Sequence, residues 1–295
     1  LLRGEGGCGD EIVFARFARQ FAERGACVVL AVSDGLVGLL SRIPGVAQAV
    51  PHRIAEQADF DYWVPAMAAP LDLGFTYATL PDEPYVAPEP AHMEKWQRLL
   101  GRLTPGRTTL RVGIRWSGNP KFEHEQHRRF PLEMLLGAAD MPGVQMYSLQ
   151  RDHDIRDLPE SVIDLQSELL TWEDTAAAIA NLDLVITSCT SIAHLAAALG
   201  KETWIIIPVL PYYLWALPGE VSPWYRSARL FRQEVFNHWE APFAGVRAAL
   251  AQKLGVSAAE APYATMMPPQ PMTPYLADFT ASASASAPAA AAAWS

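Results

Sequence analysis

The residues that decide the fold are DLVITSCTSIAHLAAALG, residues 183–200 of the chain. The run begins with four residues (183–186) whose aliphatic composition is typical of a strand buried on both faces. Hydroxyl-bearing side chains fill four of the next five positions. A helical pattern follows until Gly200, which supplies a stop. A second aliphatic strand is predicted at residues 204–207, so the stretch predicts one unit of a parallel α/β sheet.

The polar turn between the first strand and the helix has two interpretations. Free backbone N–H groups at a helix start, the positive end of the helix dipole and the hydroxyls of Thr190 and Ser191 together favour an anion site. Alternatively, one of these hydroxyls simply caps the helix. The local sequence leaves both interpretations open, and the rest of the chain favours phosphate binding.

Length and composition narrow the class of protein. The chain has 295 residues, 50% of them hydrophobic, which is enough for a large core in one long domain or two ordinary ones. Its formal net charge of −9 argues against nucleic acid or an anionic membrane as the main partner. We expect neither a membrane span nor a signal peptide. The three cysteines, Cys8, Cys27 and Cys189, lack metal-ligand spacing and fit a reducing cytosol, so we expect a cytoplasmic location.

Residues 1–104 are predicted to form one Rossmann-like domain. Leu1-Leu2-Arg3 has the character of the end of a strand, so we expect the chain to be part of a longer one. A glycine-rich turn and a helix that reaches about Arg24 follow. Further strands are predicted at residues 27–32, 46–50 and 59–64, a loop-rich edge at 65–90 and a helix at 91–103.

The glycine-rich turn matches the G-x-G-x-x-G pattern through Gly4, Gly6 and Gly9. Asp34 closes the following strand, where a dinucleotide-binding protein places its ribose-binding acid. However, Asp10 lies where the helix start would receive a pyrophosphate, and its charge would repel that group. Asp10 is either an ordinary N-cap or a general base that takes a proton from a hydroxyl at the mouth of a cleft. We favour the general base because of the motifs that follow.

A second series of strands, loops and helices begins at residue 110, which predicts a second doubly wound domain over residues 105–255. Residues 256–295 are rich in Pro, Met, Ala and Ser and are predicted to be a disordered low-complexity tail. Strands are predicted at residues 110–116, 144–149, 183–186, 204–207 and 228–232. Helices are predicted from about residue 131 and at residues 173–182, 192–199 and 242–254.

Two adjacent arginines precede the helix that begins near residue 131. Arg128 or Arg129 could clamp a diphosphate, because a guanidinium forms bidentate bonds to phosphate oxygens. A solvated basic loop is the alternative. The neighbouring histidines lack the spacing of a metal site. We likewise assign no metal to the acid-x-acid triplets Asp59-Phe60-Asp61 and Asp152-His153-Asp154.

The segment at residues 209–227 is rich in aromatic side chains. They could form a platform for a base or a sugar ring, or a hydrophobic plug that covers the sheet. The aromatic residues are Tyr212, Tyr213, Trp215, Trp224 and Tyr225.

Several motifs together carry a family resemblance. They are GEGGCGD at 4–10, FARF at 14–17, VGIRWSGNP at 112–120, SLQ at 148–150, the stretch 183–201 and SPWY at 222–225. With them the chain resembles the heptosyltransferase-like GT-B glycosyltransferases, in particular the catalytic modules that follow tetratricopeptide repeats in bacterial proteins. The likeness extends from residue 1 to about residue 254.

The resemblance implies an α/β GT-B fold, in which two Rossmann-like doubly wound domains face each other across a cleft. It implies sugar transfer from a nucleotide-diphosphate sugar to a hydroxyl, with no metal or other cofactor, and we expect inversion at the anomeric carbon. The base proposed for heptosyltransferases falls on Asp10. The donor-binding residues expected here are Ser117, Gly118, Asn119, Arg128, Arg129, Gln150, Thr190, Ser191 and His194.

One residue departs from the family pattern. Heptosyltransferases place an aspartate that binds the sugar in the turn where this chain has Cys189. The departure argues against a heptose donor and favours the repeat-linked branch, whose acceptors include proteins. We therefore expect a protein Ser or Thr acceptor that an upstream repeat domain recognises. Two alternatives stay open: an NAD-dependent oxidoreductase that uses the Gly4/Gly6/Gly9 loop, and a catalytically silent module that binds a sugar nucleotide.

Overall fold

Two parallel β-sheets organise the chain in the computed structural model, which describes residues 1–151 and 158–257. We refer to residues 1–104 as the N-terminal half and to residues 105–257 as the C-terminal half. The triplet Asp152-His153-Asp154 and the predicted tail beyond residue 257 lie outside the described residues.

The N-terminal half contains a four-stranded sheet in which every pairing is parallel. Its strands lie in the order β3-β2-β1-β4 and are β1 (Leu2–Arg3), β2 (Val28–Val32), β3 (Val46–Pro51) and β4 (Val64–Pro65). Its helices are α1 (Cys8–Ala15), α2 (Ala18–Glu23), α3 (Val37–Leu40), α4 (His52–Ala55), α5 (Ala69–Asp72) and α6 (Pro90–Leu103), with 3₁₀ turns at Asp34–Leu36 and Ala66–Ala68.

The C-terminal half contains a six-stranded sheet that is also parallel throughout. Its strands lie in the order β10-β9-β8-β5-β6-β7 and are β5 (Leu110–Arg115), β6 (Val144–Ser148), β7 (Val162–Asp164), β8 (Leu184–Ser188), β9 (Thr203–Ile207) and β10 (Ala228–Arg232). Its helices are α7 (Glu125–Arg128), α8 (Leu132–Ala139), α9 (Trp172–Ala180), α10 (Ser191–Ala198) and α11 (Glu240–Leu254), with a 3₁₀ turn at Tyr213–Trp215.

The order of the second sheet fixes where a ligand crevice forms. The chain builds outward from β5 through β6 to β7, then returns to place β8 on the other side of β5. The loops that leave β5 and β8 therefore diverge to opposite faces of the sheet. In doubly wound sheets such a switch point opens a crevice beyond the carboxyl ends of the strands. The loop that follows β5 and the turn that precedes α10 border this crevice.

The predicted α/β class and the doubly wound character of both sheets are confirmed, and several element bounds are wrong. The strand predicted at residues 59–64 shrinks to β4, because Tyr62 and Trp63 are 85% and 62% exposed and have no buried face to pack. The helix predicted to reach Arg24 is interrupted between α1 and α2, where the Phe17 N–H donates to the Phe14 carbonyl at 3.2 Å.

Several short elements were not predicted, among them the four-residue helices α3, α4 and α5. Strand β7 has three residues at the edge of the sheet, and α7 has a single turn with no apolar periodicity, so neither produces a pattern that sequence analysis can detect.

Helix α6 lies in the N-terminal half by sequence and packs on α9 of the C-terminal half. The Trp96 indole N–H and the Lys95 ammonium both donate to Asp174 Oδ1, at 3.2 and 2.8 Å. One hydrophobic cluster also contains residues of both halves. The domain division at residue 104 stays a prediction.

Among the described residues, no helix combines the length and the apolar character needed to cross a membrane.

Arg16, just after α1, ties the two halves together. Its side chain is 3% exposed, and its guanidinium donates to the carbonyls of Pro81 and Trp224 at 2.7 and 2.6 Å. The guanidinium also lies 4.6 Å from the Tyr85 ring centroid and 4.4 Å from the Tyr225 ring centroid. Cation–π contacts are strongest where water is excluded, so this buried cation is stabilised by carbonyls and aromatic rings.

We expect Arg16→Met to lower the free energy of unfolding by about 3 kcal/mol, because buried carbonyls lose a charged donor. Urea denaturation measures the change. The matched control is Arg19→Met, which removes an exposed pair with Glu23 and should change stability by less than about 0.5 kcal/mol. Equal effects of the two substitutions would contradict a structural role for Arg16.

Candidate active site

A cleft of about 750 Å³ lies between the two halves. The N-terminal half contributes the glycine-rich turn and the start of α1. The C-terminal half contributes the loop after β5, the start of α9, the start of α10 and Tyr212. The lining residues are Gly6, Gly7, Cys8, Gly9, Asp10, Arg115, Gly118, Asn119, Lys121, Phe122, Arg128, Arg151, Trp172, Thr175, Cys189, Thr190, Ser191, Ile192, His194 and Tyr212.

The starts of α1 and α10 meet at the bottom of this cleft. Gly9 is the contact point, since a β-carbon there would lie 3.4 Å from Ser191 Cα and 3.0 Å from His194 Cδ2. A larger side chain at position 9 would push the two helices apart. The absence of a side chain at Gly9 therefore brings Asp10, on α1, close to the polar turn that precedes α10.

Asp10 is the third residue of α1, and its carboxylate faces hydrogen-bond donors from both halves. Asp10 Oδ2 accepts the Gly7 N–H at 2.9 Å, closing the first turn of the helix. Asp10 Oδ1 accepts the Tyr213 hydroxyl at 3.0 Å, and the Tyr212 hydroxyl lies 3.3 and 3.4 Å from Oδ1 and Oδ2. The interpretation of Asp10 as the N-cap residue of α1 is wrong, because the N-cap residue is Gly7.

The two phenols on Asp10 remain protonated. Burial, followed by the charge of Asp10, raises the pKa of Tyr212 to about 12 and raises the pKa of Tyr213 further. A protonated phenol donates to a carboxylate, so both tyrosines occupy positions that an incoming hydroxyl could take. The composition of residues 209–227 predicts a platform or a hydrophobic plug, and a contact with a carboxylate some two hundred positions away leaves no local pattern in the sequence.

Of the two arginines proposed to clamp a diphosphate, Arg128 enters the cleft and Arg129 is exposed outside its lining. Arg128 Nε donates to Glu125 Oε2 at 2.5 Å, and Arg128 Nη1 donates to the Cys189 carbonyl at 3.2 Å. The guanidinium also stacks over the Phe122 ring at 4.4 Å. Both arginines precede the helix that begins after Pro131, as expected, and Arg128 also ends the separate one-turn helix α7.

In the turn before α10, the Thr190 N–H donates to the Ser188 carbonyl at 2.7 Å. Thr190 is the N-cap residue, yet its side chain makes no capping hydrogen bond, so the simple capping interpretation of Thr190 is wrong. The first N–H groups of a helix have no carbonyl partner within it, and Ser191 is the first residue of α10. Burial raises the pKa of Cys189 to about 11, so at neutral pH the residue contributes an uncharged thiol here.

His194 lines the cleft and contacts the aromatic segment. The ring is 4% exposed, stacks on Trp215 with ring centroids 5.0 Å apart, and places Nδ1 3.2 Å from the Tyr225 hydroxyl. Burial, with added repulsion from Arg16 and Arg128, lowers the pKa of His194 to about 3. The imidazole is therefore neutral at physiological pH and does not neutralise Asp10.

The loop after β5 contributes three of the expected donor-binding residues. Gly118 and Asn119 line the cleft, while the buried Ser117 hydroxyl has no hydrogen-bond partner among the described residues. Asn119 Oδ1 accepts the Lys121 N–H at 2.9 Å, which tightens the loop. Gln150 is 0% exposed and outside the cleft lining, so the expectation that it faces the donor is not met.

The aromatic segment divides into buried residues and residues that reach Asp10, and its use as a platform for a base or a sugar ring stays a prediction. Trp215, Trp224 and Tyr225 are buried and pack against side chains of α1 and α10, whereas the Tyr212 and Tyr213 hydroxyls reach Asp10. No cluster of three or more potential metal ligands occurs within residues 1–151 and 158–257.

The dinucleotide-binding interpretation finds little support in the geometry. The Gly4 N–H donates to the Ala31 carbonyl at 2.8 Å, and Asp34 is an exposed partner of Arg53 at 3.1 Å. Asp10 already occupies the start of α1 with its own carboxylate, where a pyrophosphate would have to bind. A second anion at that helix start would be repelled.

Scans against protein-family models and against curated protein sequences gave no match. The fold, in contrast, is shared with solved structures. A glycosyl transferase family 9 protein from Veillonella parvula DSM 2008 is 10% identical with a TM-score of 0.61, over 86% of this chain and 88% of that one. The E. coli heptosyltransferase WaaC, solved with ADP-2-deoxy-2-fluoro heptose, is 12% identical with a TM-score of 0.50, over 86% and 98% of the two chains.

A third structure is TibC, described as a bacterial iron-containing dodecameric glycosyltransferase from enterotoxigenic E. coli. It is 14% identical with a TM-score of 0.52, over 82% of this chain and 64% of that one. At such identities the likeness shows the fold alone. It confirms the predicted heptosyltransferase-like GT-B architecture.

Because the pKa of His194 is lowered in the folded protein, the free energy of unfolding is expected to decrease as the pH falls. The unfolded chain protonates this histidine below about pH 6.5, and the folded protein does so only near pH 3. The stabilisation from His194 is therefore complete above about pH 6.5 and is lost as pH falls. Relative to His194→Gln, wild-type stability should fall by about 1.4 kcal/mol per pH unit between about pH 6 and pH 4.5.

Urea denaturation at several pH values measures this difference. The control is His238→Gln, whose side chain is 63% exposed and whose stability profile should remain parallel to that of the wild type. Parallel profiles for His194→Gln and the wild type would contradict a neutral buried imidazole.

Proposed function

We propose that the chain is a glycosyltransferase that moves a sugar from a nucleotide-diphosphate donor to a hydroxyl acceptor. The observation that carries the proposal is the placement of a base and an anion site in one cleft, on opposite halves. Asp10 lines it from the N-terminal half, and Arg128 with the start of α10 lines it from the C-terminal half. The shared heptosyltransferase fold supports the same reaction class.

In the proposed reaction, the acceptor hydroxyl takes the place of one phenol at Asp10. It gives its proton to the carboxylate while its oxygen bonds to the anomeric carbon on the face opposite the diphosphate. The bond between the anomeric carbon and the diphosphate oxygen breaks, and the leaving group keeps the electron pair. The product has inverted configuration at that carbon, and Asp10 then releases its proton to water.

The diphosphate becomes more negative as it leaves, and the C-terminal half places positive charge where it departs. Arg128 and the N–H groups at the start of α10 supply this stabilisation in a partly enclosed cleft. We propose that these groups serve without a metal ion. The neutral thiol of Cys189 cannot supply the charge of the aspartate that heptosyltransferases use there, so we propose a donor sugar other than heptose.

The acceptor is proposed to be a protein Ser or Thr, selected by a repeat domain upstream of this chain. The resemblance to repeat-linked enzymes supports this assignment. The partly exposed Tyr212 and Tyr213, next to the 72% exposed Leu210, offer an apolar rim beside Asp10 for an acceptor segment.

A silent sugar-nucleotide module is the second candidate. The observation that favours it is the occupation of both Asp10 oxygens by phenol hydroxyls. In such a module these bonds would persist when nucleotide binds, and Asp10 would never meet an acceptor.

Asp10→Asn should lower turnover of the nucleotide sugar by about 10² or more, the usual effect of losing a general base. Binding of the nucleotide should stay intact, because Asp10 lies on the opposite half from the anion site. Release of nucleoside diphosphate from a panel of nucleotide sugars, including ADP-heptose, measures turnover. Asp34→Asn is the matched control, since its exposed carboxylate pairs with Arg53 and does not belong to the cleft lining. Near-normal turnover in Asp10→Asn would remove Asp10 from the mechanism, and wild-type binding without turnover would favour the silent module.

Calorimetric titration with ADP, UDP, GDP and NAD separates the enzyme classes. We expect a nucleoside diphosphate to bind and Arg128→Ala to weaken that binding by about tenfold or more, because charge-assisted bonds to phosphate are lost. NAD should bind no more tightly than its ADP portion, and Asp34→Asn should leave NAD binding unchanged. Tight NAD binding that Asp34→Asn abolishes would instead establish the oxidoreductase.

A further inference from the structure

Glu125 is a carboxylate beside the cleft to which the proposed reaction assigns no role. It is 6% exposed, although it belongs to a one-turn helix in a polar loop. A carboxylate is costly to bury unless its oxygens are hydrogen-bonded, so its surroundings must satisfy it. The loop at residues 121–129 has the composition of a solvated surface, so no pattern in the sequence indicates that Glu125 is buried.

Each oxygen of Glu125 binds a different part of the anion site. Glu125 Oε1 accepts the Gly118 N–H, in the loop after β5. Glu125 Oε2 accepts Arg128 Nε at 2.5 Å. One side chain therefore fixes both the loop and the arginine that border the crevice at the switch point.

The bond to Nε leaves the outer end of the guanidinium directed at the turn before α10. Arg128 Nη1 donates to the Cys189 carbonyl at 3.2 Å, and the Phe122 ring lies against the guanidinium at 4.4 Å. Three contacts thus hold a long side chain that would otherwise be free in several torsions. Ordering such a side chain only when a ligand binds would weaken that binding.

We propose that Glu125 is a positioning residue for diphosphate recognition, which acts by holding Arg128 across the crevice between the loop after β5 and the start of α10. The inference rests on the proposed function, because it assumes that a diphosphate binds there. Glu125 itself does not touch the ligand. Its role is to present the guanidinium in one orientation before the ligand arrives.

If Glu125 acted only through its charge, its removal would change the affinity for a diphosphate in the opposite direction. As a negative charge near the anion site, Glu125 by itself repels a diphosphate, and its removal would strengthen binding by simple electrostatics. Positioning predicts that its removal weakens binding. A loss of affinity in Glu125→Ala therefore cannot come from the change in charge.

Gly118 offers a second variant that leaves every charge in place. A β-carbon at Gly118 would overlap the Arg128 guanidinium and lie 2.8 Å from Glu125 Oε2. Gly118→Ala must therefore displace the arginine or its partner. If the orientation of the Arg128 guanidinium determines diphosphate affinity, Gly118→Ala should weaken binding as Glu125→Ala does.

The experiment compares calorimetric titrations of ADP and AMP for wild type, Glu125→Ala, Gly118→Ala, Arg128→Ala and the Glu125→Ala/Arg128→Ala double variant. Glu123→Ala is the matched control. Glu123 lies two positions before Glu125, carries the same charge and has a side chain that is 80% exposed. Positioning predicts that Glu125→Ala and Gly118→Ala each weaken ADP binding by about tenfold, with a much smaller effect on AMP. Glu123→Ala should stay within about twofold of wild type for both ligands.

The double variant tests whether the effect passes through the arginine. If Glu125 acts on Arg128, its removal adds nothing further once Arg128 is already alanine. A loss that persists in that background would overturn the inference in favour of a general structural role. Unchanged or tighter ADP binding in Glu125→Ala would overturn it in favour of simple repulsion. If the wild type binds no nucleoside diphosphate in the ADP, UDP and GDP panel, the proposed function fails, and the inference fails with it.

Discussion

The arrangement of the cleft depends on one buried guanidinium. Arg16 follows α1 directly, and it donates to the Trp224 carbonyl while lying between the rings of Tyr85 and Tyr225. Since α1 carries Asp10 and the aromatic segment carries Tyr212 and Tyr213, this cation fixes the base relative to its phenol partners. A planar guanidinium suits the position because it can stack on rings and donate in its own plane at once.

The cleft separates charge between its two walls. The carboxylate of Asp10 belongs to the N-terminal half, and the cation of Arg128 with the dipole of α10 belongs to the other. Two lining residues, His194 and Cys189, are neutral at physiological pH, because burial lowers the pKa of His194 and raises that of Cys189. Arg128 pairs with Glu125 through Nε, and its Nη1 donates toward the turn before α10. In a partly enclosed site, charges act more strongly on a ligand than they would in water. A sugar donor placed between these walls would present its diphosphate to one wall and its reacting carbon to the other.

Much of the fold could be predicted because strands and helices leave periodic signals. The buried strands β8 and β9 each contain three consecutive aliphatic residues, and the glycine after α10 adopts a φ of 75° that ends the helix. The errors fall where packing contradicts local composition. Tyr62 and Trp63 belong to a segment with strand-like composition, yet both side chains are exposed. Glu125 is buried, although its loop has the polar composition of a solvent-exposed segment.

The sequence by itself determined the class of fold, the order of most of its longer strands and helices, and a short set of residues that could act on an anion or a hydroxyl. Only the tertiary structure decided which of those residues enter the cleft. Arg128 lines it while Arg129 is exposed, and Gln150 is buried outside it although it follows a strand at the same edge as the turn before α10. Periodicity and composition are local properties that a chain carries along its length. The direction of a loop side chain, the pKa of a buried ring and the contact of Asp10 with Tyr213 depend on atoms far apart in sequence, so they exist only once the two halves have packed.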